Sequence, residues 1–140
     1  MRAESTAIVV AIQLGLATAL GIAGAHAQTT VIQTIALKSG ETLDLGPVYY
    51  VRNCRSIAVG KPEAEILEGP QGISVMVKEG DVIPRNQGCA NKVPGGTLLL
   101  TAPMEIEDPS FTRLIVRVTY KTKAEGDRKF SAVYNLSLIP

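Results

Sequence analysis

The chain has 140 residues, with 14 Lys and Arg against 13 Asp and Glu and a formal net charge of +1 at pH 7. This length fits one domain with a single core, and the balanced charge argues against a general electrostatic role on nucleic acid or an anionic membrane. The one histidine, His26, lies in an expected export signal, so we expect no Ser-His-Asp triad, Cys-His pair or His-ligated zinc in the mature protein.

The N-terminal segment, residues 1–27, predicts a cleavable signal peptide. A short region with Arg2 precedes residues 7–25, which are almost all apolar or small, and residues 25–27 (A-H-A) have the small-x-small pattern that signal peptidase accepts. An uncleaved membrane anchor is the alternative, because about 20 apolar residues can span a bilayer. With cleavage, we expect residues 28–140 to form a single domain, periplasmic or secreted, without a stable membrane anchor.

The two cysteines, Cys54 and Cys89, both fall after the expected cleavage site. Export delivers them to an oxidising compartment, where one intramolecular disulfide is expected. On the chain-entropy model such a link is worth roughly 3–4 kcal/mol. A redox dithiol or a metal site would need a closely spaced pair or further His or Cys ligands. We therefore interpret the pair as structural.

Short runs rich in β-branched and aromatic residues, separated by Gly, Pro, Asn and Asp, predict strands along the mature chain. Residues 30–37 form the first expected strand, and residues 47–52 form a short strand that leads to Cys54. Residues 64–68 and 72–78 flank a Gly-Pro-Gln turn, and this arrangement predicts a hairpin.

The C-terminal half continues the β pattern. Residues 84–96 form a polar connection, and residues 97–102 are a nearly continuous apolar run that suits a strand buried on both faces. Apolar and polar residues alternate in residues 112–122 and again in residues 130–138, which predicts two strands that each have one core face and one solvent face. With the turn between them, they predict a C-terminal hairpin.

About seven strands with frequent turns are typical of an antiparallel two-sheet β-sandwich. The expected architecture resembles that of immunoglobulin domains, although the Trp that packs on the disulfide in antibody domains is absent here. We therefore expect an all-β, immunoglobulin-like sandwich closed by one disulfide, with a small closed barrel as the alternative.

Catalytic and metal-binding motifs are not recognisable in the mature chain. The dense acidic group Glu105, Glu107 and Asp108 could serve carboxylate-dependent hydrolysis or ligate Ca²⁺, but the spacing of a dedicated calcium loop is missing. We interpret this group as a solvated turn. The pair Gly95 and Gly96 lacks the phosphate-loop pattern, and we interpret it as turn glycines. We expect a protein without enzymatic activity, metal or cofactor.

Residues 84–94 of the polar connection form a candidate ligand-contact loop. It is long for a hairpin connection, and the expected disulfide through Cys89 would pin it, which reduces the ordering cost of binding. The alternative is that the disulfide only tethers an otherwise mobile connection. The candidate contact residues are Arg85, Asn86, Gln87, Asn91 and Lys92.

Two further features concern the expected strand surfaces. Arg113, Arg117 and Lys121 fall on one face of the C-terminal hairpin, where an anionic ligand or envelope glycan could dock, although charged strand faces more often solubilise a sheet and protect its edges. Tyr49 and Tyr50 point to opposite faces of their strand, so we expect one in the core and the other as a surface anchor.

These patterns predict a small exported, non-catalytic binding or structural module of a bacterial-type cell envelope or periplasm. We expect a monomer whose partner is a protein or an envelope glycan, and not nucleic acid. One alternative is a pilus-subunit-like assembly protein, in which residues 29–37 would be the strand donated to a neighbour. Another is a carboxylate-dependent secreted enzyme.

Overall fold

In the computed structural model, which describes residues 32–85 and 87–140, nine β-strands follow one another along the chain. The expected signal peptide, residues 1–27, lies outside the described residues. The described ranges contain no helix, and therefore none that could cross a membrane. The strands are β1 (Gln33–Lys38), β2 (Thr42–Val48), β3 (Val51–Arg52), β4 (Arg55–Ser56), β5 (Glu63–Glu68), β6 (Ser74–Val82), β7 (Val93–Thr101), β8 (Ser110–Thr122) and β9 (Gly126–Ile139).

Seven of these strands form two main sheets. The four-stranded sheet has the order β1-β9-β8-β5 and the three-stranded sheet has the order β2-β7-β6, while β3 and β4 pair only with each other. The pairs in both main sheets are antiparallel except β1 with β9, which run parallel. The expected all-β sandwich with two antiparallel sheets is confirmed.

The C-terminal hairpin is also confirmed, and it forms the longest ladder of the described chain. β8 and β9 pair from Ser110 opposite Leu138 to Thr122 opposite Gly126. Leu114 and Leu136 on the inner face are fully buried, as the alternation predicts. Phe130 lies on the same face of β9 as Leu136 but is 48 % exposed. The reason is that β1 pairs with β9 only from Tyr134 to Ile139 and leaves the edge beside Phe130 uncovered.

The hairpin expected from residues 64–68 and 72–78 is wrong. β5 pairs with β8 in the four-stranded sheet, whereas β6 pairs with β7 in the three-stranded sheet. Residues 69–73 therefore cross from one sheet to the other. Gly72 in this crossing has a φ of 87°, and a Cβ there would lie 2.9 Å from Pro103 Cγ. Alternation identifies the buried face of each strand, but it does not identify the partner strand.

β7, the centre of the three-stranded sheet, is buried on one face and not on both. Leu98 and Leu100 are at most 4 % exposed, while Leu99 between them is partly exposed on the outer face. The prediction of a strand buried on both faces is wrong, because the second sheet covers the inner face alone.

The core between the sheets is entirely apolar apart from tyrosine hydroxyl groups. Both sheets contribute side chains to one cluster, and no side chain classed as polar or charged is buried among the described residues. The most deeply buried members are Leu37, Val77, Leu100, Leu114, Val116 and Leu136.

Gly95 and Gly96 lie inside β7, so their interpretation as turn glycines is wrong. They pair with Gly80 and Glu79 of β6. A Cβ on Gly96 would clash with Val77 Cγ1 and lie 2.8 Å from the carbonyl oxygen of Lys78. Glycine is needed at this position because neighbouring strand atoms occupy the space of a side chain.

The substitution Gly96→Ala should lower the free energy of unfolding by about 1–3 kcal/mol, because it overpacks a filled site. Gly80→Ala is the matched control: it lies on the neighbouring strand, where an added Cβ would have no neighbouring atom within 4 Å, and it should change stability by less than about 1 kcal/mol. Denaturant titration of both variants with the disulfide intact measures the difference. Equal stability would contradict the close-packing explanation.

Candidate binding site

Three connecting segments meet where β2, β6 and β8 end, and we call this region the disulfide end. The segments are residues 49–62, 83–92 and 123–125. The amide of Val59 donates to the carbonyl of Lys121 at 2.7 Å, and the Tyr50 hydroxyl donates to Glu125 Oε2 at 2.8 Å. The fold thus brings distant parts of the sequence into one surface.

The predicted disulfide between Cys54 and Cys89 is confirmed, with Cα atoms 5.5 Å apart. Cys54 lies at the tip of the β3–β4 hairpin, where Asn53 and Cys54 have φ values of 53° and 60°. Positive φ at both central residues is the conformation of a type I′ hairpin turn. The disulfide therefore joins a tight turn to the segment 83–92, which contains all of the candidate ligand-contact loop, residues 84–94, except its last two residues in β7.

Tyr49 holds the same loop at a second point. Its hydroxyl donates to the carbonyl of Arg85 at 2.9 Å and accepts from the Arg85 amide at 2.7 Å. Tyr50 instead packs against the core cluster. The neighbouring tyrosines thus have separate roles, one in the core and one outside it, and the hydroxyl of Tyr49 anchors this chain's own loop.

An aromatic cleft of about 290 Å³ opens beside this loop. The rings of Tyr50, Tyr120 and Phe130 have centroids 5.7 to 5.9 Å apart. Four of the six Tyr and Phe residues of the chain line the cleft. The lining residues are Tyr49, Tyr50, Val51, Gln87, Tyr120 and Phe130.

An apolar groove of about 210 Å³ lies between β2 and β9 and shares the lining residues Tyr120 and Phe130 with the aromatic cleft. Pro47, Ala132 and Tyr134 also line it. Burial raises the pKa of Tyr120 to about 12, although a hydrogen bond with the Tyr49 backbone opposes the shift. Tyr120 is therefore neutral at physiological pH, and because it is only 5 % exposed it belongs to the core and presents little of its ring to the cleft.

One carboxylate, Glu125, contacts the cleft residue Tyr50 and is held by two partners. It accepts a hydrogen bond from the Tyr50 hydroxyl and pairs with the Arg52 guanidinium. These contacts, with the Tyr50 hydrogen bond as the larger cause, hold the pKa of Glu125 below its ordinary value. Glu125 thus ties the β8–β9 turn to the strand β3.

The candidate loop residues fall on two concave surfaces. Arg85 and Lys92 line a shallow cavity of about 480 Å³, which also contains Asp44 and Asp81. Gln87 lines the aromatic cleft instead. Asn91 lines neither of these two cavities, and Asn86 lies outside the described residues. The loop residues thus do not converge on one site, and their role in binding stays a prediction.

The predicted basic face is present on β8, but carboxylates of the adjacent β5 lie opposite it. Arg117 Nε donates to Glu65 Oε1 at 2.8 Å, and weaker pairs join Arg113 to Glu68 at 3.9 Å and Lys121 to Glu63 at 3.6 Å. Exposed pairs of this kind contribute about 0–1 kcal/mol each. These ion pairs leave less unpaired positive charge on this face for an anionic ligand. Anion binding at this face stays a prediction.

The two ends of the sandwich differ strongly in charge, which the whole-chain value of +1 conceals. The segments of the disulfide end contain one acidic residue, Glu125, against six basic residues. The opposite end, formed by residues 39–41, 69–73 and 102–109, contains four acidic residues and no Lys or Arg. The basic residues are Arg52, Arg55, Lys61, Arg85, Lys92 and Lys123, and the acidic residues are Glu41, Glu105, Glu107 and Asp108.

No protein-family model, curated protein or solved structure matches this chain. The immunoglobulin-like assignment therefore stays a prediction, with support from strand order: β2-β7-β6 and β5-β8-β9 follow one another as strands B-E-D and C-F-G do in immunoglobulin domains. Within the described ranges, no group of three or more His, Cys, Asp or Glu side chains is placed to hold a metal ion.

The contacts of Glu125 should be retained above its ordinary pKa of 4.5 and lost as the pH falls through its lower folded value. A carboxyl NMR titration should therefore give a midpoint below 4.5. Tyr50→Phe should raise this midpoint, because it removes the larger stabilising contact. Tyr49→Phe, a neighbour that bonds Arg85 instead, should not move it. Equal midpoints in all three proteins would contradict the assigned cause.

Proposed function

We propose that the protein is an exported, non-catalytic binding module of the cell envelope or periplasm that recognises an anionic partner at its disulfide end. The observation that carries this proposal is the aromatic cleft, which lies among segments with six basic residues and one acidic residue. Rings supply apolar contact area at low entropic cost, and the excess of cations in these segments favours a negatively charged partner.

Preorganisation of the surface supports binding as its role. The disulfide holds Cys89, and the Tyr49 hydroxyl holds both backbone groups of Arg85. Loops fixed before association lose less conformational entropy when a partner docks. Glu125, the carboxylate that contacts the cleft residue Tyr50, is also engaged by Arg52, which favours a structural role for it over acid or base chemistry.

The proposed location has two supports. Residues 1–27 have the pattern of an export signal, and a disulfide is typical of an oxidising compartment outside the cytoplasm. Donation of residues 29–37 to a neighbour has less support, because residues 33–37 pair with β9 of their own chain in this fold.

Two anionic probes test the proposal: a hexapeptide of alternating Glu and Phe, and an oligogalacturonate. NMR titration of the labelled protein should shift the signals of Gln87, Tyr120 and Phe130 with at least one probe, and the responding probe tells an acidic polypeptide from an acidic glycan. Binding should weaken at high salt, because screening reduces attraction between exposed charges. A hexapeptide of alternating Lys and Phe should bind much more weakly.

The variant Phe130→Ala should lower the affinity about tenfold or more, as expected for an aromatic anchor in a binding cleft. Phe111→Ala is the matched control, since Phe111 is 67 % exposed and lies at the opposite end of the hairpin. Equal loss of affinity in both variants, or shifts confined to the opposite end, would contradict the proposal.

A further inference from the structure

The end of the sandwich opposite the disulfide is a fixed surface, and we call it the acidic end. Its loop, residues 102–109, is bonded to the β1–β2 turn at three points. The Gly40 amide donates to the Pro103 carbonyl at 2.7 Å, the Ala102 amide to the Glu41 carbonyl at 2.9 Å, and the Ile106 amide to Ser39 Oγ at 3.0 Å. Partly buried Ile106 packs against the core and fixes the middle of the loop.

This fixed loop presents one apolar side chain among carboxylates. Met104 is 81 % exposed, the highest value among the large hydrophobic side chains of the described residues. Exposed Glu105, Glu107 and Asp108 follow it closely in the loop. Burial in an interface would remove the apolar surface of Met104 from water, which is favourable. An exposed methionine on a loop held by hydrogen bonds is therefore suited to contact with a partner.

The acidic end and the disulfide end are complementary in two independent respects. Thioether sulfur makes favourable contacts with aromatic rings, and the aromatic cleft offers rings in a cavity of about 290 Å³, a size suited to a side-chain anchor. The connecting segments of the acidic end carry carboxylates, and those of the disulfide end carry mainly Lys and Arg. On the strands that reach the disulfide end, Arg128, directly across the β8–β9 ladder from Tyr120, adds a further cation, while Asp127 beside it and Asp44 and Asp81 in the cavity with Arg85 and Lys92 add carboxylates.

We infer that the partner of the aromatic cleft is the acidic end of a second copy of this chain. Met104 of one copy enters the cleft of the next, and the carboxylates around Met104 face the cations of the disulfide end. The inference rests on the proposed function, since it names a partner for the same cleft. It also departs from the expected monomer.

The position of the two surfaces determines the form of the assembly. They lie at opposite ends of one sandwich, so a contact between them is heterologous and leaves one free surface of each kind on every oligomer. Such contacts propagate head to tail unless the rotation between copies closes a ring. The assembly should therefore grow with protein concentration beyond dimers and dissociate in high salt.

Two variants test the contact, each damaged at one end only. The acidic-end variant carries Met104→Ala and Glu105→Lys, and the cleft variant carries Phe130→Ala and Arg128→Glu. All four side chains are exposed, and thermal melts check that both variants fold. Protein purified from cells that express all 140 residues is examined by sedimentation velocity up to millimolar concentration.

Wild-type protein should form a series of oligomers at low salt, and each variant alone should stay monomeric. An equimolar mixture should give a 1:1 complex and nothing larger, because one intact acidic end meets one intact cleft. A wild-type monomer at all concentrations, a wild-type dimer that does not grow, or no complex in the mixture would overturn the inference. Binding of the anionic probes in that case would leave the proposed function standing.

Discussion

Contact between the inner faces of the two sheets is the constraint on which the rest of the molecule depends. Leu114 and Leu136 of one sheet and Leu100 of the other are fully buried in one cluster. Because this apolar layer sets the positions of the strands, it also sets where they stop. β2, β6 and β8 stop at the same end, and their connecting segments meet there. The packing of the core thus positions the cleft, although most of the residues that line the cleft lie outside the buried core cluster.

Much of the fold was predictable from local pattern, since the alternation of residues 112–122 and 130–138 identifies the inner faces and two cysteines allow one internal pair. Strand partners were less predictable, because pairing depends on contacts between distant residues. The assignment of residues 64–68 to the wrong neighbour is the clearest case. The glutamates of β5, Glu63, Glu65 and Glu68, match the cations of β8, and this complementarity is the signal that could have identified the correct partner.

The candidate site was predictable only in part, for a related physical reason. A polar loop pinned by a disulfide can be recognised in the sequence, and it does border the cleft. Tyr120 and Phe130 belong to the predicted C-terminal hairpin, but Tyr50 comes from a distant segment of the chain and meets them only in the folded structure. The charge difference between the two ends could also be found only from the fold, because a sum over the whole chain cancels charges that the fold separates.

The parallel pairing of β1 with β9 has a consequence for the order of folding events. Gln33 pairs with Tyr134 and Lys38 with Ile139, so each residue of the first strand lies 101 positions before its partner. Contacts between such distant residues carry a large loop-closure cost and slow folding. The four-stranded sheet therefore stays incomplete until β9 has formed and β1 pairs with it, and the N-terminal strand remains unpaired before that step.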